Sequence, residues 1–255
     1  MSLYLKIHHY LIENEFTRKY QRRLMRWMKE KLGCPDAYGD LISIARTHSP
    51  EAVMDIGSFI GYTIVRFTDE LDVPVFGFEP TPATFQILNK KYEKSDQVKV
   101  FNVALSESNC KTNFFCNKNM QTNSLLDNDE GNINSFSDAT EHVDEVEIEA
   151  VTLDSWMENN CPEGNVVIKS DIQGAEGLLI KGGEKTFKNR VIAFYSEAQL
   201  YPMYKNQVSF SELDSKLSNL GFVIFNIYPC MHDKHGKAIQ TDVLWINSSL
   251  YKQAH

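Results

Sequence analysis

The stretch DIGSFIGYT, residues 55–63, follows the short apolar run AVMDI and carries two glycines four apart. A strand that ends in a glycine turn and feeds a helix is a common way for a chain to meet a nucleotide. Gly57 and Gly61 take Cβ atoms out of a ligand's approach, and the helix N-terminus offers free N–H groups to a negative group. Glu79 stands 22 residues beyond Gly57, at the end of the next apolar run, FGFE. A carboxylate there accepts hydrogen bonds from both hydroxyls of an adenosine ribose. A dinucleotide wants a middle glycine under its pyrophosphate, and here Phe59 or Ile60 fills that region. Asp55 would repel a pyrophosphate, whereas it suits a cationic amino-acid moiety. An acid before the turn, a sparse glycine loop and a ribose carboxylate together suit S-adenosylmethionine as cofactor.

Such a turn needs a strand before it and a helix after it. From residue 51 apolar runs recur: AVMDI, VPVFGFE, VKVFNVAL, NVVIKSDI, VIAFYSE, FVIFNIY and DVLWIN. Helical spacing falls between most of them, as in Ile64, Phe67 and Leu71, then Phe85, Leu88 and Tyr92. Leu178, Leu179 and Phe187 form a third set, and Leu213, Leu217 and Leu220 a fourth. Apolar strands alternating with helices imply right-handed crossovers and a mostly parallel sheet covered on both faces. The last two runs are joined by PCMHDKHGKAIQT, too short and polar for a crossover helix, so an antiparallel hairpin is expected. Residues 1–33 read as a helix, with Leu5, Ile12, Phe16, Tyr20, Leu24, Trp27 and Met28 on one face and Gly33 and Pro35 closing it. Its TRK and QRR triplets read as a solvated face. Residues 106–150 break the rhythm and are rich in Asn, Asp, Ser and Glu. They read as an excursion of one or two strands with an acidic loop, about 120–142, placed as a flap over the acceptor. The expected division is an N-terminal helical segment, 1–40, and one domain, 41–255.

Composition narrows the classes. The 34 acidic and 26 basic residues give a formal charge of −8, which disfavours non-specific nucleic-acid binding. No apolar stretch approaches the roughly 18 residues of a membrane span. The opening MSLYLKIHHYLIENEF lacks a basic lead, an apolar block and a small-residue cleavage site, so no signal peptide is expected. The five cysteines, Cys34, Cys110, Cys116, Cys161 and Cys230, are scattered and form no CxxC pair. A reducing, cytoplasmic setting follows, without a zinc site.

VMDIGSFIGYT, FGFEPTPATFQIL, VFNVALSE, VTLDSW, VVIKSDIQGAEGLLIKGG and FYSE follow the order and spacing of FkbM-type methyltransferases. The chain resembles that family over about residues 50–248. The resemblance implies an α/β, Rossmann-like class I methyltransferase fold with a seven-stranded, mostly parallel sheet and an antiparallel last strand. It implies S-adenosylmethionine as cofactor and a hydroxyl on a sugar, glycan or other small molecule as acceptor. Asp55, Gly57, Ser58 and Gly61 match the cofactor loop, Glu79 the ribose ligand, and Asn102 and Ala104 the region beside the adenine. The family often has Asn where Phe59 stands. It also has D-V-E-G-A-E where this chain has D-I-Q-G-A-E, so Gln173 replaces a carboxylate and no metal site is expected.

Methyl transfer to a hydroxyl needs the acceptor held in line with the sulfonium methyl and benefits from a base. Asp171 ends VVIKSD, Glu176 follows in the turn that opens the next helix, and Glu197 ends VIAFYSE. These three carboxylates are the catalytic candidates. Glu176 also suits a helix N-terminus, and Glu197 a structural pair with Lys169. Asn123 and Ser124 are candidates for the acceptor side, and Tyr201, Met203 and Tyr204 for an aromatic wall. His232 and His235 read as solvated, and His48 and His142 as surface residues. Three rival readings remain: a nicotinamide-dependent oxidoreductase, a non-catalytic nucleotide-binding module, and a nucleic-acid methyltransferase, which would usually carry a basic surface or an Asn/Asp-Pro-Pro-Tyr/Phe-type signature where this chain has SDIQG. The first requires a third close glycine, where the chain has Tyr62, Thr63 and Ile64. The oligomeric state is left open.

Overall fold

The computed structural model describes residues 36–129 and 141–251, apart from Pro162, Pro202 and Lys234. The expected helix over 1–33 lies outside the described residues. In chain order the elements are α1 (Ala37–His48), β1 (Ala52–Ile56), α2 (Tyr62–Glu70), β2 (Val75–Phe78), α3 (Pro82–Tyr92), β3 (Val98–Phe101), β4 (Ala104–Ser106) and β5 (Cys110–Asn117). A short 3-10 turn, Met120–Thr122, precedes β6 (His142–Thr152), α4 (Leu153–Asn160), β7 (Val166–Ser170), α5 (Glu176–Lys181) and α6 (Glu184–Arg190). The chain ends with β8 (Val191–Gln199), α7 (Phe210–Asn219), β9 (Phe222–Ile227), β10 (Met231–His232) and β11 (Ala238–Asn247).

Every residue of β1 and of β7 is buried, as a central strand covered on both faces requires. The two pair in parallel, Ala52 opposite Val166 through Ile56 opposite Ser170. β2 and β3 continue the parallel sheet on one side of β1, and β8 continues it beyond β7. β11 then runs antiparallel to β8, with β9 and the short β10 antiparallel along its outer edge. The order is therefore β3-β2-β1-β7-β8-β11-β9, with the chain winding in opposite directions from the β1/β7 junction.

Successive strand residues alternate between two helical layers. Val53, Val75 and Val167 pack with Leu41 and Ile42 of α1, Ile64 and Phe67 of α2 and Leu88 of α3. Met54, Ile56 and Ile168 pack with Trp156 of α4, Leu179 of α5, Phe187 of α6 and Leu213 of α7. A second sheet, β4-β6-β5, stands apart with its own small core of Ala104, Phe114, Ile148 and Ala150.

All seven apolar runs contain strands, and the final hairpin is antiparallel. Three boundaries differ from the sequence reading. VKVFNVAL divides into β3 and β4, because Asn102 turns its Nδ2 onto the carbonyls of Glu79 and Pro80, each at 2.9 Å, and the chain leaves the main sheet there. The helix expected through Leu178 and Phe187 breaks at Gly182, where a Cβ would lie 1.9 Å from the Ser106 carbonyl oxygen. The domain also starts before residue 41. α1 straddles that boundary, and Asp40 accepts a hydrogen bond from the Tyr228 hydroxyl at 2.7 Å. The expected excursion holds β5 and β6, while residues 130–140 of its loop lie outside the described residues.

Gly57 closes β1 with φ of +79°, and a Cβ there would lie 1.9 Å from the Asp171 carbonyl oxygen at the end of β7. Gly236 has a similar φ, +82°, with nothing within 4 Å. Left-handed backbone alone costs an L-residue about 1–2 kcal/mol. Gly236→Ala is expected to lose that much in urea unfolding, and Gly57→Ala about 3 kcal/mol or more, because the strand ends must also part. Equal losses would show that the β1–β7 contact yields freely.

Candidate active site

The carboxyl ends of β1 and β7 open on a cavity of about 460 Å³. This is the place where an open α/β sheet binds its ligand, and the volume lies within the roughly 300–1,000 Å³ of small-molecule sites. Gly57, Ser58, Glu79, Ala104, Asp171 and Glu197 all line it.

The loop after β1 is stapled to β2. The amides of Gly57 and Ser58 donate to the Phe78 carbonyl at 3.1 and 2.9 Å. Ser58 Oγ donates to the Asp55 carbonyl at 2.7 Å and accepts from the Phe78 amide at 3.0 Å. Phe59, itself at φ +48°, gives its N–H to Glu79 Oε2 at 3.0 Å, and Thr81 gives its N–H to Oε1 at 2.9 Å. Both carboxylate oxygens are thus fixed by backbone, and each keeps a further lone pair for a ligand. Burial pushes the Glu79 carboxyl up, and the Thr81 and Phe59 amides oppose it. An acceptor-only group held this way fits a ribose diol.

Four expected ligand or catalytic residues do not line the cavity. Asp55 is 0% exposed, with Lys169 Nζ 2.9 Å from its Oδ1. It is the counter-ion of a buried ammonium rather than a group facing a ligand. Burial alone would lower the Lys169 pKa, but the charges of Asp55 and Asp171 override it and hold the ammonium charged. Gly61 is buried, and a Cβ there would meet Leu88 Cδ1 at 2.8 Å and the Tyr92 ring. The freedom of both loop glycines is therefore required by the protein's own packing. Asn102 braces the turn after β2, as described above, instead of facing the cavity. Glu176 is buried behind the wall and accepts the Ile172 amide at 3.3 Å.

Opposite Glu79 the wall is built from three strands. Gln173, strained at φ +55°, donates from Nε2 to Asp171 Oδ1 at 2.8 Å and to Glu197 Oε2 at 3.3 Å. Its Oε1 accepts from the Tyr204 hydroxyl at 2.9 Å, and its carbonyl from the Ser124 hydroxyl at 2.8 Å. Gln199 Nε2 donates to Glu197 Oε2 at 2.9 Å, and Gln240 Nε2 donates to Glu197 Oε1. Burial, then the charges of Asp171, Glu176 and Asp242, push Glu197 up to about 9.

Asn123 and Met203 line the cavity, whereas Ser124 and Tyr204 are buried behind it. Tyr201 lies under Lys237 Nζ, 3.3 Å from the ring centroid. His232 and His235 are exposed and do not line this cavity; the neighbouring Met231 does. His142 is exposed, and His48 is half-buried against Tyr251. Among the described residues, no three of His, Cys, Asp and Glu converge as a metal site. Gln173 was visible in the sequence only as a substitution, and Gln240 carried no signal, because the β8–β11 pairing brings it to Glu197.

A parallel sheet reversed at β11, with its crevice at the β1/β7 junction, is the class I methyltransferase fold. The model of the methyltransferase FkbM domain matches residues 55–224, and the chain belongs to that family. It is an S-adenosylmethionine-dependent methyltransferase. The chain is 28% identical over 174 residues to the 2-O-methyltransferase NoeI of Sinorhizobium fredii, spanning 63% of this chain and 69% of that protein. A putative S-adenosylmethionine-dependent methyltransferase from Listeria monocytogenes is similar at TM-score 0.46 and 8% identity, covering 83% of this chain and 98% of that one. Aeropyrum pernix fibrillarin in complex with S-adenosyl-L-methionine gives TM-score 0.45 and 7% identity, over 77% of this chain and 66% of that one.

Glu79→Ala should weaken S-adenosylhomocysteine binding by about 1.5–3 kcal/mol, the range for hydrogen bonds to a charged group. Calorimetric affinity equal to wild type would place the ribose elsewhere.

Burial first, with Asp171 adding, raises Glu176 from 4.5 to about 7. The folded state therefore holds an extra proton, and this group's contribution to stability is lost as pH rises through about 7. Glu176→Gln keeps an acceptor for the Ile172 amide and cannot ionise. Its stability relative to wild type should improve by about 2 kcal/mol between mildly acidic and mildly alkaline pH. A pH-independent difference in denaturation would contradict the raised value.

Proposed function

We propose that the protein methylates a hydroxyl oxygen of a sugar, glycan or other small molecule, without a metal ion, in the cytoplasm. The observation that carries this reading is the Asp171–Gln173–Glu197 wall at the end of β7 and β8, on the cavity that also holds the loop after β1 and Glu79. The similarity to a 2-O-methyltransferase supports transfer to oxygen.

When bound, S-adenosylmethionine supplies an electrophilic methyl group on a sulfonium. Glu79 would hold the ribose hydroxyls, and the loop through Gly57 and Ser58 would border the remainder of the donor. Asp171 is half-buried, with Oδ1 held by Gln173 and, among the described residues, no hydrogen bond to Oδ2. That oxygen is the group placed to take the acceptor's proton. Gln173 keeps the carboxylate from turning away, and its amide links Asp171 to Glu197. Met203, Met231 and Leu125 give the acceptor an apolar surface and exclude water from the methyl group.

Asp171→Asn should lower kcat by about 100-fold or more, the usual contribution of a general base, while S-adenosylhomocysteine affinity stays within about twofold. Turnover near wild type would remove Asp171 from the base role. Loss of cofactor affinity with no separate loss of kcat would make it a donor ligand.

A further inference from the structure

The acceptor wall contains a conflict of charge. Three glutamines, Gln173, Gln199 and Gln240, all turn their amide nitrogens onto Glu197. Amide N–H groups arranged around both oxygens seat an ionised carboxylate. The charges around it oppose that state. The charges of Asp171, Glu176 and Asp242 act against it, and the cation that offsets them is Lys169. Lys169 is itself bound to Asp55 at 2.9 Å and to the Gly57 carbonyl at 3.1 Å. Positive charge is what the wall lacks.

Two further observations point the same way. Gln199 is 6% exposed and its Oε1 has no hydrogen-bond partner, so a buried acceptor stands beside Glu197. The carboxylates lining the cavity are Glu79, Asp171 and Glu197, and the other wall, Asn119 to Leu125, carries no charge. That stretch supplies Met120, Asn123 and Leu125 to the cavity. A cleft lined with negative charge gathers cations and turns anions away. Lys169 is the sole Lys, Arg or His among the described lining residues.

Resting on the reading of oxygen transfer, we propose that the acceptor carries a primary amine near the hydroxyl that is methylated, as an amino sugar does, with its ammonium seated on Glu197 beside the Gln173 amide that links it to Asp171. An ammonium is three donors and no acceptor, the complement of a carboxylate. Its arrival supplies the missing charge, and Glu197, raised to about 9 without it, releases its proton. Phosphorylated or carboxylated acceptors find no Arg or free Lys among the described lining residues.

The methyl donor is itself cationic, so the test uses its thioether product, which lacks the sulfonium and leaves the acceptor's amine as the added charge. The full chain is titrated calorimetrically with S-adenosylhomocysteine. The loaded protein is then titrated with glucosamine, glucose and glucose 6-phosphate at neutral pH, in two buffers of different ionisation enthalpy. Glucosamine should bind about 10-fold tighter than glucose or better, with proton release, and glucose 6-phosphate should give no heat. Glu197→Gln should abolish the preference for the amine and keep S-adenosylhomocysteine affinity. The amine seat is overturned if glucose or its phosphate binds as tightly as glucosamine, if glucosamine gives no heat, or if S-adenosylhomocysteine alone already releases the proton. Labelled methyl transfer on the same sugars tests the underlying reading separately. A methyl ether on glucose with no gain for the amine overturns the seat alone, glucosamine bound with proton release but methylated on no oxygen overturns oxygen transfer alone, and a methyl on nitrogen overturns both, because a seated ammonium has no lone pair to take the methyl group.

Discussion

A buried ion pair between neighbouring strands sets the terms for the rest of the site. Lys169 on β7 and Asp55 on β1 sit almost fully buried, 2.9 Å apart. The same ammonium holds the Gly57 carbonyl at 3.1 Å, and the Asp171 amide bonds the Ile56 carbonyl at 2.9 Å. These contacts draw together the two strand ends from which the chain winds in opposite directions. A buried pair adds little net stability, since desolvation offsets its attraction, but removing one partner costs about 3–5 kcal/mol. Its consequence is therefore less the stability of the sheet than the charge of the crevice. Lys169 is occupied from behind, and the cavity in front is left to carboxylates.

The two halves of the cavity are built differently. On the donor side, backbone groups do the fixing: Glu79 is held by two amides, and Ser58 is clamped between Asp55 and Phe78. On the Glu197 side, side chains from the turn after β7 and from β8 and β11 hold one another through glutamine amides. The first construction is rigid and suits a cofactor shared across a family. The second is a set of long side chains whose identities can change without disturbing the sheet, which suits a site that differs with the acceptor.

The sequence disclosed what is local. The strand–glycine–helix turn and the carboxylate at the end of the next strand lie within 22 residues of each other, and both appear where the spacing put them. β1 and β7 were legible because central parallel strands must be apolar throughout. What depends on lateral packing was hidden. Asp55 reads as a ligand for a cationic group, and it does hold a cation, but one from its own chain more than a hundred residues away. Gly57 and Gly61 look like space left for a ligand, whereas Asp171, Leu88 and Tyr92 occupy that space. Asn102 resembles a site residue and serves as a brace. Gln240 meets Glu197 only because β11 reverses beside β8. No one-dimensional spacing encodes that contact.

The claim that everything else depends on is that the β1/β7 crevice, shaped by that ion pair and the Gly57 contact, is the seat of the methyl donor. Amide NMR of the full chain with increasing S-adenosylhomocysteine tests it residue by residue. The account predicts the largest shifts at Gly57, Ser58, Phe59 and Thr81, whose amides surround the Glu79 carboxylate and the loop, with further shifts at Ala104 and Leu105. Saturable binding that leaves these amides unmoved, with shifts elsewhere in the domain, would contradict it.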